Sequence, residues 1–184
     1  MSNTLSTLFN VLFFATEKHK NQRRKDKNAT PYINHPIMVT NFIVNTGKIE
    51  DINVLAAALL HDTIEDTETT AEEITHHFGE KICSIVLEVT DDKSLDKQER
   101  KRLQIVKAKE KSIEAKLVKL GDKISNITDI TNNPPGDWDN DRKIKYIQWS
   151  QAVIDEIRGT NNFLETYFDT KATEALRNLV PKHQ

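Results

Sequence analysis

The residues best suited to chemistry stand together in one short stretch. Residues 61–66 read His-Asp-Thr-Ile-Glu-Asp, so one imidazole and three carboxylates follow the apolar segment Ala56–Leu60 within six residues. On a helix, Asp62 would face the same side as Glu65 and Asp66, because residues three and four apart are neighbours on the helix surface. Like charges at that spacing repel one another, and a bound cation relieves the repulsion. The stretch therefore predicts a metal site.

Four side chains in or beside three predicted helices are candidate metal ligands: His35, His61, Asp62 and Asp122. Each is a polar residue inside or beside a strongly apolar segment. Taken singly, each is more simply explained as a helix cap, an ion-pair member or a core histidine. The combination of His-Pro, apolar-His-Asp and Lys-Leu-Gly-Asp-Lys in that order is more specific. Imidazole and carboxylate ligands without thiolates favour Mn, Fe, Zn or another first-row ion, with coordination positions left open for water and a substrate oxygen.

The segments that position these residues show helical spacing of apolar side chains, with helix start and stop signals at their ends, including expected N-caps at Asp51 and Thr70. We expect helices at Thr4–Lys20, Pro36–Asn45, Asp51 to beyond Leu60, Thr70–Phe78, Glu80–Thr90, Asp96–Lys111, Ile113–Thr131, Asp139–Arg158 and Asn161–Leu179. Polar loops are expected at residues 21–32 and 132–137. No repeat or linker divides the sequence, which therefore predicts a single all-α domain of eight to ten helices.

The composition limits the class of protein. A chain of 184 residues with 29% charged residues and a net charge of −2 suits one domain with a substantial core and argues against bulk nucleic-acid binding. The single Cys83 excludes an intramolecular disulfide and fits a reducing compartment. The apolar run Leu8–Phe14 is too short to span a bilayer. We expect a cytoplasmic protein, monomeric or weakly self-associating, without nucleic-acid or membrane partners.

His35, the pair His61-Asp62 and Asp122 follow the pattern of the HD-domain metal-dependent phosphohydrolases. Three segments are similar to the hydrolase domain of RelA/SpoT enzymes, and most similar to its stand-alone metazoan form: residues 61–66, 88–93 and 119–123. The resemblance implies a helical HD-domain bundle over residues 1–184, with a metal-site core at about 20–160 and a C-terminal helix at about 161–180. It implies a Mn²⁺-dependent guanosine 3′,5′-bis(diphosphate) 3′-pyrophosphohydrolase with one ion per chain, other divalent first-row ions being alternatives.

The resemblance also implies a role for each site residue. The metal ligands are His35, His61, Asp62 and Asp122, and the acidic pair that activates and places the attacking water is Glu65 and Asp66. On a helix, a carboxylate one turn past a ligand stands where it can accept a proton from water. The substrate-binding residues are Arg24 and Lys25 for the guanine end and phosphates, Asn126 for the nucleoside, Tyr146 and Arg142 near the nucleotide pocket, and Lys97 for a distal phosphate, with Trp138 beside them.

The sequence departs from the family pattern at a few positions. Gly121 stands where an alanine is common, and we expect local stability to fall by about 1 kcal/mol because glycine is a poor helix former. Asp129 stands where bifunctional bacterial members tend to have threonine. The remaining expectations are surface positions for His19, His76 and His77 and a core position for Cys83.

Other functions remain open at this point. The chain has no room for the synthetase domain of the bifunctional relatives, so the resemblance implies hydrolysis alone. The rival enzyme is a broader nucleotide phosphatase, such as one that removes the 2′-phosphate of NADPH. A nucleotide-sensing module with a vestigial metal site and a helical scaffold without a site are the alternatives from other classes.

Overall fold

The regular secondary structure of the described residues is helical. The computed structural model describes residues 4–179, which form ten α-helices. They are α1 Thr4–His19, α2 Asn34–Asn41, α3 Ile52–Leu60, α4 Thr63–Asp66, α5 Ala71–Phe78, α6 Glu80–Val89, α7 Lys97–Val106, α8 Ile113–Asn132, α9 Asn140–Asp155 and α10 Asn162–Leu179. A π-helical turn at Phe42–Thr46 extends α2, and a 3-10 turn at Ala108–Glu110 follows α7. Residues 4–179 contain isolated β-bridges but no strand, so the predicted all-α fold is confirmed.

Capping side chains explain where several helices begin. Asp51 Oδ1 accepts the backbone N–H of Asn53 at 2.8 Å, and Thr70 Oγ1 accepts that of Glu73 at 3.2 Å. Such side chains satisfy backbone donors that have no partner within the helix. The predicted caps at Asp51 and Thr70 are confirmed. The same role falls to Asp96, Ser112 and Asp139 at the starts of α7, α8 and α9.

Helix α8 lies at the centre of the molecule and packs against α2, α3, α6, α9 and α10. Its apolar face is buried as its spacing predicts, including Leu117, Leu120, Ile124 and Ile127. The same helix carries Asp122, so the core that α8 organises also fixes one wall of the candidate site. None of the helices within residues 4–179 is both long and apolar enough to cross a membrane.

Gly121 has a packing role that its helix propensity does not reveal. A Cβ added there would stand 3.0 Å from Val39 Cγ1 and Ile43 Cγ1, and 3.1 Å from the backbone oxygen of Val39. Helix α8 therefore approaches α2 and its π-helical extension closely because position 121 has no side chain. The glycine weakens the helix intrinsically, but it permits the contact that places His35 of α2 beside Asp122.

The helix expected to continue beyond Leu60 is interrupted. Helix α3 ends at Leu60 and α4 begins at Thr63, with Asp62 between them at φ −100° and ψ −3°. This sparsely populated region of backbone space often holds active-site residues. Thr63 Oγ1 donates to the carbonyl oxygen of Leu60 at 2.7 Å, which satisfies a helix-end acceptor locally. The expectation that residues 62–66 continue one regular helix is therefore wrong.

Two other predicted helices end earlier than expected. Helix α7 stops at Val106 rather than at Lys111, because the turn that follows carries Ala108 into the core. Helix α9 stops at Asp155, and Gly159, with φ +86°, follows at the turn into α10. The buried carboxylate of Glu165 accepts the backbone N–H groups of Gly159 and Asn161 at 3.2 and 2.9 Å, which closes this turn.

The surface position expected for His19 is wrong. Its side chain is buried, with Nδ1 2.6 Å from Gln22 Oε1 and the ring 4.9 Å from that of Tyr32. The sequence shows it only as the basic end of an amphipathic helix, but the loop after α1 folds back over it. The other placements are confirmed: His76 and His77 are exposed, and Cys83 is buried.

Candidate metal centre

Four side chains meet where α2, the α3–α4 junction and α8 come together. His35 Nε2 is 3.3 Å from Asp122 Oδ1 and 3.6 Å from Asp62 Oδ2. His61 Nε2 is 3.1 Å from Asp62 Oδ2 and 4.0 Å from Asp122 Oδ1. One ligand atom each from His35, His61 and Asp62 lies within 4.8 Å of the other two. The structure thus brings the four predicted ligands together, with Asp122 Oδ1 adjoining the group of three.

Hydrogen bonds fix the direction of both imidazoles. His61 Nδ1 lies 2.8 Å from the carbonyl oxygen of Ala58 and donates to it, since a carbonyl oxygen only accepts. Its Nε2 is buried and faces Asp62 Oδ2 at 3.1 Å, without a well-aligned hydrogen bond among the described residues. His35 Nδ1 lies 3.0 Å from Ser125 Oγ, which leaves Nε2 facing the carboxylates. Metal-binding imidazoles are commonly oriented by such a contact at the other ring nitrogen.

The negative charges of Asp62 and Asp122 favour the binding of a cation between the two histidines. Burial alone would lower the pKa of His61, but the negative charge of Asp62 raises this pKa to about 9. Burial opposes the ionisation of Asp122, yet Lys123 and the hydrogen bond with His35 hold its pKa well below the usual range. Burial lowers the pKa of His35. Metal binding requires deprotonated ligands, so a divalent ion would take the place of the proton on His61.

The donor set fits a divalent first-row ion. It combines two imidazole nitrogens with two carboxylates and no thiolate, and His35 and His61 are 3% and 5% exposed. The buried Nε2 of His61 faces the carboxylates of Asp62 and Asp122, an arrangement that a bound metal ion would satisfy. Mixed nitrogen and oxygen donors of this type suit Mn, Fe or Zn.

A cavity of about 240 Å³ opens beside the group and is lined by His61, Asp62 and Asp122. We call it the lysine cavity, because its walls also include Lys97, Lys101, Lys119 and Lys123. Glu65 lines it too and accepts the backbone N–H of Asp91 at 3.1 Å. Burial raises the pKa of Glu65. A carboxylate with a raised pKa beside the candidate ligands is suited to accept a proton.

A larger cavity, of about 430 Å³, lies on the side of the loop at residues 21–32. We call it the loop cavity; its walls include Arg24, Lys25, Tyr32, Asp66, Asn126 and Tyr146. Asp66 accepts from Lys93 Nζ at 2.6 Å and from Gln22 Nε2 at 3.3 Å. Glu65 and Asp66, expected to act as a pair, therefore line different cavities, because neighbouring residues of the short helix α4 point in directions about 100° apart.

A chain of hydrogen bonds runs from the loop cavity to the candidate metal group. Arg24 Nη2 donates to Asp129 Oδ2 at 2.5 Å and to Asn126 Oδ1 at 3.1 Å. Asn126 Nδ2 in turn donates to Asp122 Oδ1 at 2.6 Å. Two of the predicted substrate-binding residues are thereby joined to a candidate ligand. Lys25 is exposed at the rim of the same cavity.

The remaining predicted binding residues line a third cavity, of about 450 Å³. Its walls include Lys97, Trp138, Arg142 and Tyr146. The guanidinium of Arg142 lies 4.5 Å from the centre of the Trp138 ring, and Tyr146 packs against the same indole. Tyr146 lines all three cavities, so it stands where they adjoin.

Several side chains of the site were missed from the sequence. The hydroxyl of Tyr32 donates to Asp62 Oδ2 at 2.7 Å, and Lys123 Nζ lies 3.2 Å from Asp122 Oδ2. Nothing in the polar loop distinguished Tyr32. Lys119 and Lys123 could have been identified from the sequence. Both lie inside the apolar segment around Asp122, and lysines are rarely buried unless an opposite charge is near.

The chain is similar to known proteins along most of its length. A family model described as the HD domain matches residues 12–147. The guanosine-3′,5′-bis(diphosphate) 3′-pyrophosphohydrolase MESH1 of Xenopus tropicalis is 51% identical over 169 residues, which cover 92% of this chain and 94% of that protein. The Homo sapiens protein of the same name is 46% identical over 179 residues, covering 97% and 96%.

The fold is similar to a solved structure as well. That structure is of a metazoan orthologue of SpoT that hydrolyses ppGpp, with a TM-score of 0.89 and 45% identity. The match covers 95% of this chain and 97% of the other.

Proposed function

The chain belongs to the HD-domain family, in its group of stand-alone metazoan SpoT homologues, and we propose that it hydrolyses guanosine 3′,5′-bis(diphosphate) to GDP and pyrophosphate. The observation that supports this proposal most strongly is the group of buried His35 and His61 with half-buried Asp62, which adjoins the lysine cavity and the loop cavity. His61 and Asp62 line the lysine cavity, and Tyr32 of the loop cavity bonds to Asp62. Hydrolysis cleaves the ester bond at the 3′ oxygen: water supplies a hydroxyl to the pyrophosphate phosphorus, and the 3′ oxygen gains a proton.

We propose Mn²⁺ as the ion, one per chain, held by His35, His61, Asp62 and Asp122. When bound, it supplies Lewis acidity that stabilises negative charge on the phosphoryl group and favours ionisation of the attacking water. Ser125 orients the imidazole of His35 and the carbonyl of Ala58 orients that of His61. The hydroxyl of Tyr32 orients the carboxylate of Asp62 by donating to it.

Glu65 is the proposed proton acceptor for the attacking water. Its carboxylate is held by the backbone N–H of Asp91 at 3.1 Å and lies 3.7 Å from Arg100 Nη1. Burial raises its pKa, which brings the carboxylate closer to the working pH and makes it a better base. Asp66 completes the acidic pair from the loop cavity, where Lys93 and Gln22 fix it beside the substrate.

The loop cavity is the proposed nucleoside site. Its volume of about 430 Å³ falls within the roughly 300–1,000 Å³ usual for pockets that hold drug-sized ligands. Arg24, fixed by Asp129 and Asn126, presents a guanidinium suited to stacking on a base. Lys25 at the rim adds positive charge for the phosphates. Lys97, Arg142 and Tyr146 extend the site into the third cavity.

We further propose hydrolysis without synthesis, by a single cytoplasmic domain that is monomeric or weakly self-associating. The relatives that the chain covers almost completely bear the name of a hydrolase alone. Cys83 is a free, buried thiol, which is compatible with a reducing compartment. Incubation with GDP and ATP should therefore yield no bis(diphosphate).

The test is to identify the phosphate species released. Purified protein with Mn²⁺ is incubated with guanosine 3′,5′-bis(diphosphate) and, separately, with NADPH. We expect pyrophosphate and GDP from the first substrate. Release of orthophosphate from NADPH, with no turnover of the bis(diphosphate), would replace this proposal with the nucleotide phosphatase.

A further inference from the structure

Lys119 is a buried lysine on which Asp122, Asp91 and Glu65 act only from beyond ion-pair distance. The residue is 6% exposed, and its Nζ donates to the backbone oxygen of Val89 at 3.5 Å. Within residues 4–179 it forms no ion pair with a carboxylate, although an ammonium can donate three hydrogen bonds. Buried lysines are rare unless their charge is matched. Lys119 lines the lysine cavity, so its counter-charge is expected to come from a bound anion.

The other cations of this cavity fall into two groups. Lys123 and Arg100 are opposite Asp122 and Glu65, at 3.2 and 3.7 Å. Lys97 and Lys101 resemble Lys119, because neither has an ion pair among the described residues. Lys101 Nζ instead lies over the ring of Trp149, 4.6 Å from its centre. Three ammonium groups thus face the cavity without a carboxylate of their own.

One buried donor of the cavity points to the same conclusion. Arg100 Nε, a donor, is buried without a hydrogen-bond partner. Arg100 extends from α7 and Lys119 from α8, so the donors approach from two sides. Donors left unsatisfied in a protein interior cost free energy unless a ligand or water satisfies them. An anion with several oxygens would accept from all of them at once.

We propose, on the basis of the hydrolysis inferred above, that the lysine cavity binds the pyrophosphate group that the reaction releases, with Lys119 and Lys101 as binding residues. The cavity adjoins the candidate metal group through His61, Asp62 and Asp122, where the scissile bond lies in the proposed reaction. Its volume of about 240 Å³ is below the roughly 300–1,000 Å³ usual for drug-sized ligands. The nucleoside therefore fits the loop cavity better, and the compact, highly charged pyrophosphate fits this one.

The experiment measures the binding of inorganic pyrophosphate to the full-length, Mn²⁺-loaded protein by titration calorimetry, with the metal content checked after each titration. Lys119→Met and Lys101→Met remove a charge from the cavity and keep most of the aliphatic stem. Lys116→Met is the matched control, because it lies one turn before Lys119 on α8 and does not line the cavity. Guanosine is the second probe, for the loop cavity.

Each cavity variant should raise the dissociation constant for pyrophosphate about tenfold or more, which is the usual effect of losing a hydrogen bond from a charged donor. The control should leave that constant unchanged, and guanosine should bind all four proteins equally. Dissociation constants for pyrophosphate within twofold of the unaltered protein in both cavity variants would overturn the proposal. If circular dichroism shows that Lys119→Met does not fold, the pyrophosphate affinity of Lys101→Met tests the proposal, because Lys101 is only half-buried.

The result also separates this proposal from the function on which it rests. Lysine-dependent binding of pyrophosphate without turnover of the bis(diphosphate) would contradict the proposed function and keep the anion site. Normal turnover with pyrophosphate binding that is independent of both lysines would contradict the anion site alone.

Discussion

At the scale of residues, the acidic stretch at 61–66 divides its side chains between different tasks. His61 donates its Nδ1–H to the carbonyl oxygen of Ala58, and its Nε2 faces the candidate metal group. Glu65 faces the lysine cavity, beside the candidate ligands, and Asp66 faces the loop cavity, where Lys93 binds it. The two neighbouring acids are therefore expected to affect different steps of the reaction.

Glu65→Gln should lower kcat by about 10²–10⁴-fold, the usual contribution of a general base. The amide keeps the shape of the side chain but cannot accept the proton of water. Metal content, measured by elemental analysis, should stay near that of the unaltered protein. The matched control is Glu68→Gln, an exposed residue three positions later, which should have normal kinetics. A normal kcat in Glu65→Gln would show that another group takes the proton.

Arg24→Ala should mainly raise KM, by about tenfold, because it removes substrate binding rather than a group that takes part in bond cleavage. Its guanidinium is presented to the loop cavity by Asp129 and Asn126. The control is Arg102→Ala, whose exposed guanidinium pairs only with Glu99 among the described residues. Steady-state kinetics of pyrophosphate release separate kcat from KM. An unchanged KM would show that the guanine base of the substrate does not bind at Arg24.

Metal binding should strengthen as the pH rises, because the pKa of His61 is raised from 6.5 to about 9 in the metal-free protein. That shift stabilises the metal-free fold fully below pH 6.5, and the contribution is lost as the pH rises towards 9. Mn²⁺ must displace the proton, so its stabilising effect grows over the same interval. His35, whose pKa is lowered by burial, titrates below this window.

The measurement is the increase in Tm on adding Mn²⁺, from pH 6.5 to about 8.5. The increase should become larger with pH, and calorimetry in buffers of different ionisation enthalpy should show about one proton released per ion. An increase in Tm that is independent of pH would mean that His61 does not exchange a proton for the metal.

At the scale of elements, the site depends on how closely α8 can approach α2. Position 121 has no side chain, and the space that a Cβ would need is taken by Val39 and Ile43. Since His35 belongs to α2 and Asp122 to α8, this contact sets the separation of two candidate ligands. The helix propensity of glycine and the packing of the two helices therefore act in opposite directions at Gly121.

Gly121→Ala should destabilise the protein by about 1–2 kcal/mol, because overpacking a close helix contact costs more than the roughly 1 kcal/mol that alanine gains in helix propensity. Metal affinity should fall with it, since α2 is pushed away from α8. The measurements are urea unfolding and Mn²⁺ titration. Gly136→Ala is the control, because the nearest atom to its added Cβ is 3.9 Å away. A Gly121→Ala variant more stable than the unaltered protein would show that the side chains of Val39 and Ile43 move to accommodate the added Cβ at little cost.

The interruption between α3 and α4 marks a limit of what the sequence predicts. Periodicity identified the buried α3, and the rules for caps located Asp51 and Thr70 correctly. The break at Asp62 left no such signal, because residues 61–66 contain neither glycine nor proline. It depends instead on the bond between Thr63 and Leu60 and on the packing of His61 against His35, with ring centres 5.2 Å apart.

At the scale of the whole molecule, the all-α fold was predictable because the amphipathic spacing persists along the described chain. The four candidate ligands were also identifiable, since each is polar in an apolar surrounding and together they match the HD-domain pattern. The contact of Tyr32 with Asp62 was not predictable, because it joins a polar loop to a helix junction across 30 positions. Neither was the separation of Glu65 from Asp66 between two cavities, which depends on packing that only the folded chain defines.

The most direct test of the account is to titrate metal-free protein with Mn²⁺ and follow both metal occupancy, by electron paramagnetic resonance, and pyrophosphate release from guanosine 3′,5′-bis(diphosphate). Turnover should be absent without metal, rise in proportion to bound Mn²⁺ and reach its maximum at about one ion per chain. His61→Ala and Asp122→Ala should lose both occupancy and turnover. Full turnover in the metal-free protein, or in either variant, would contradict the account.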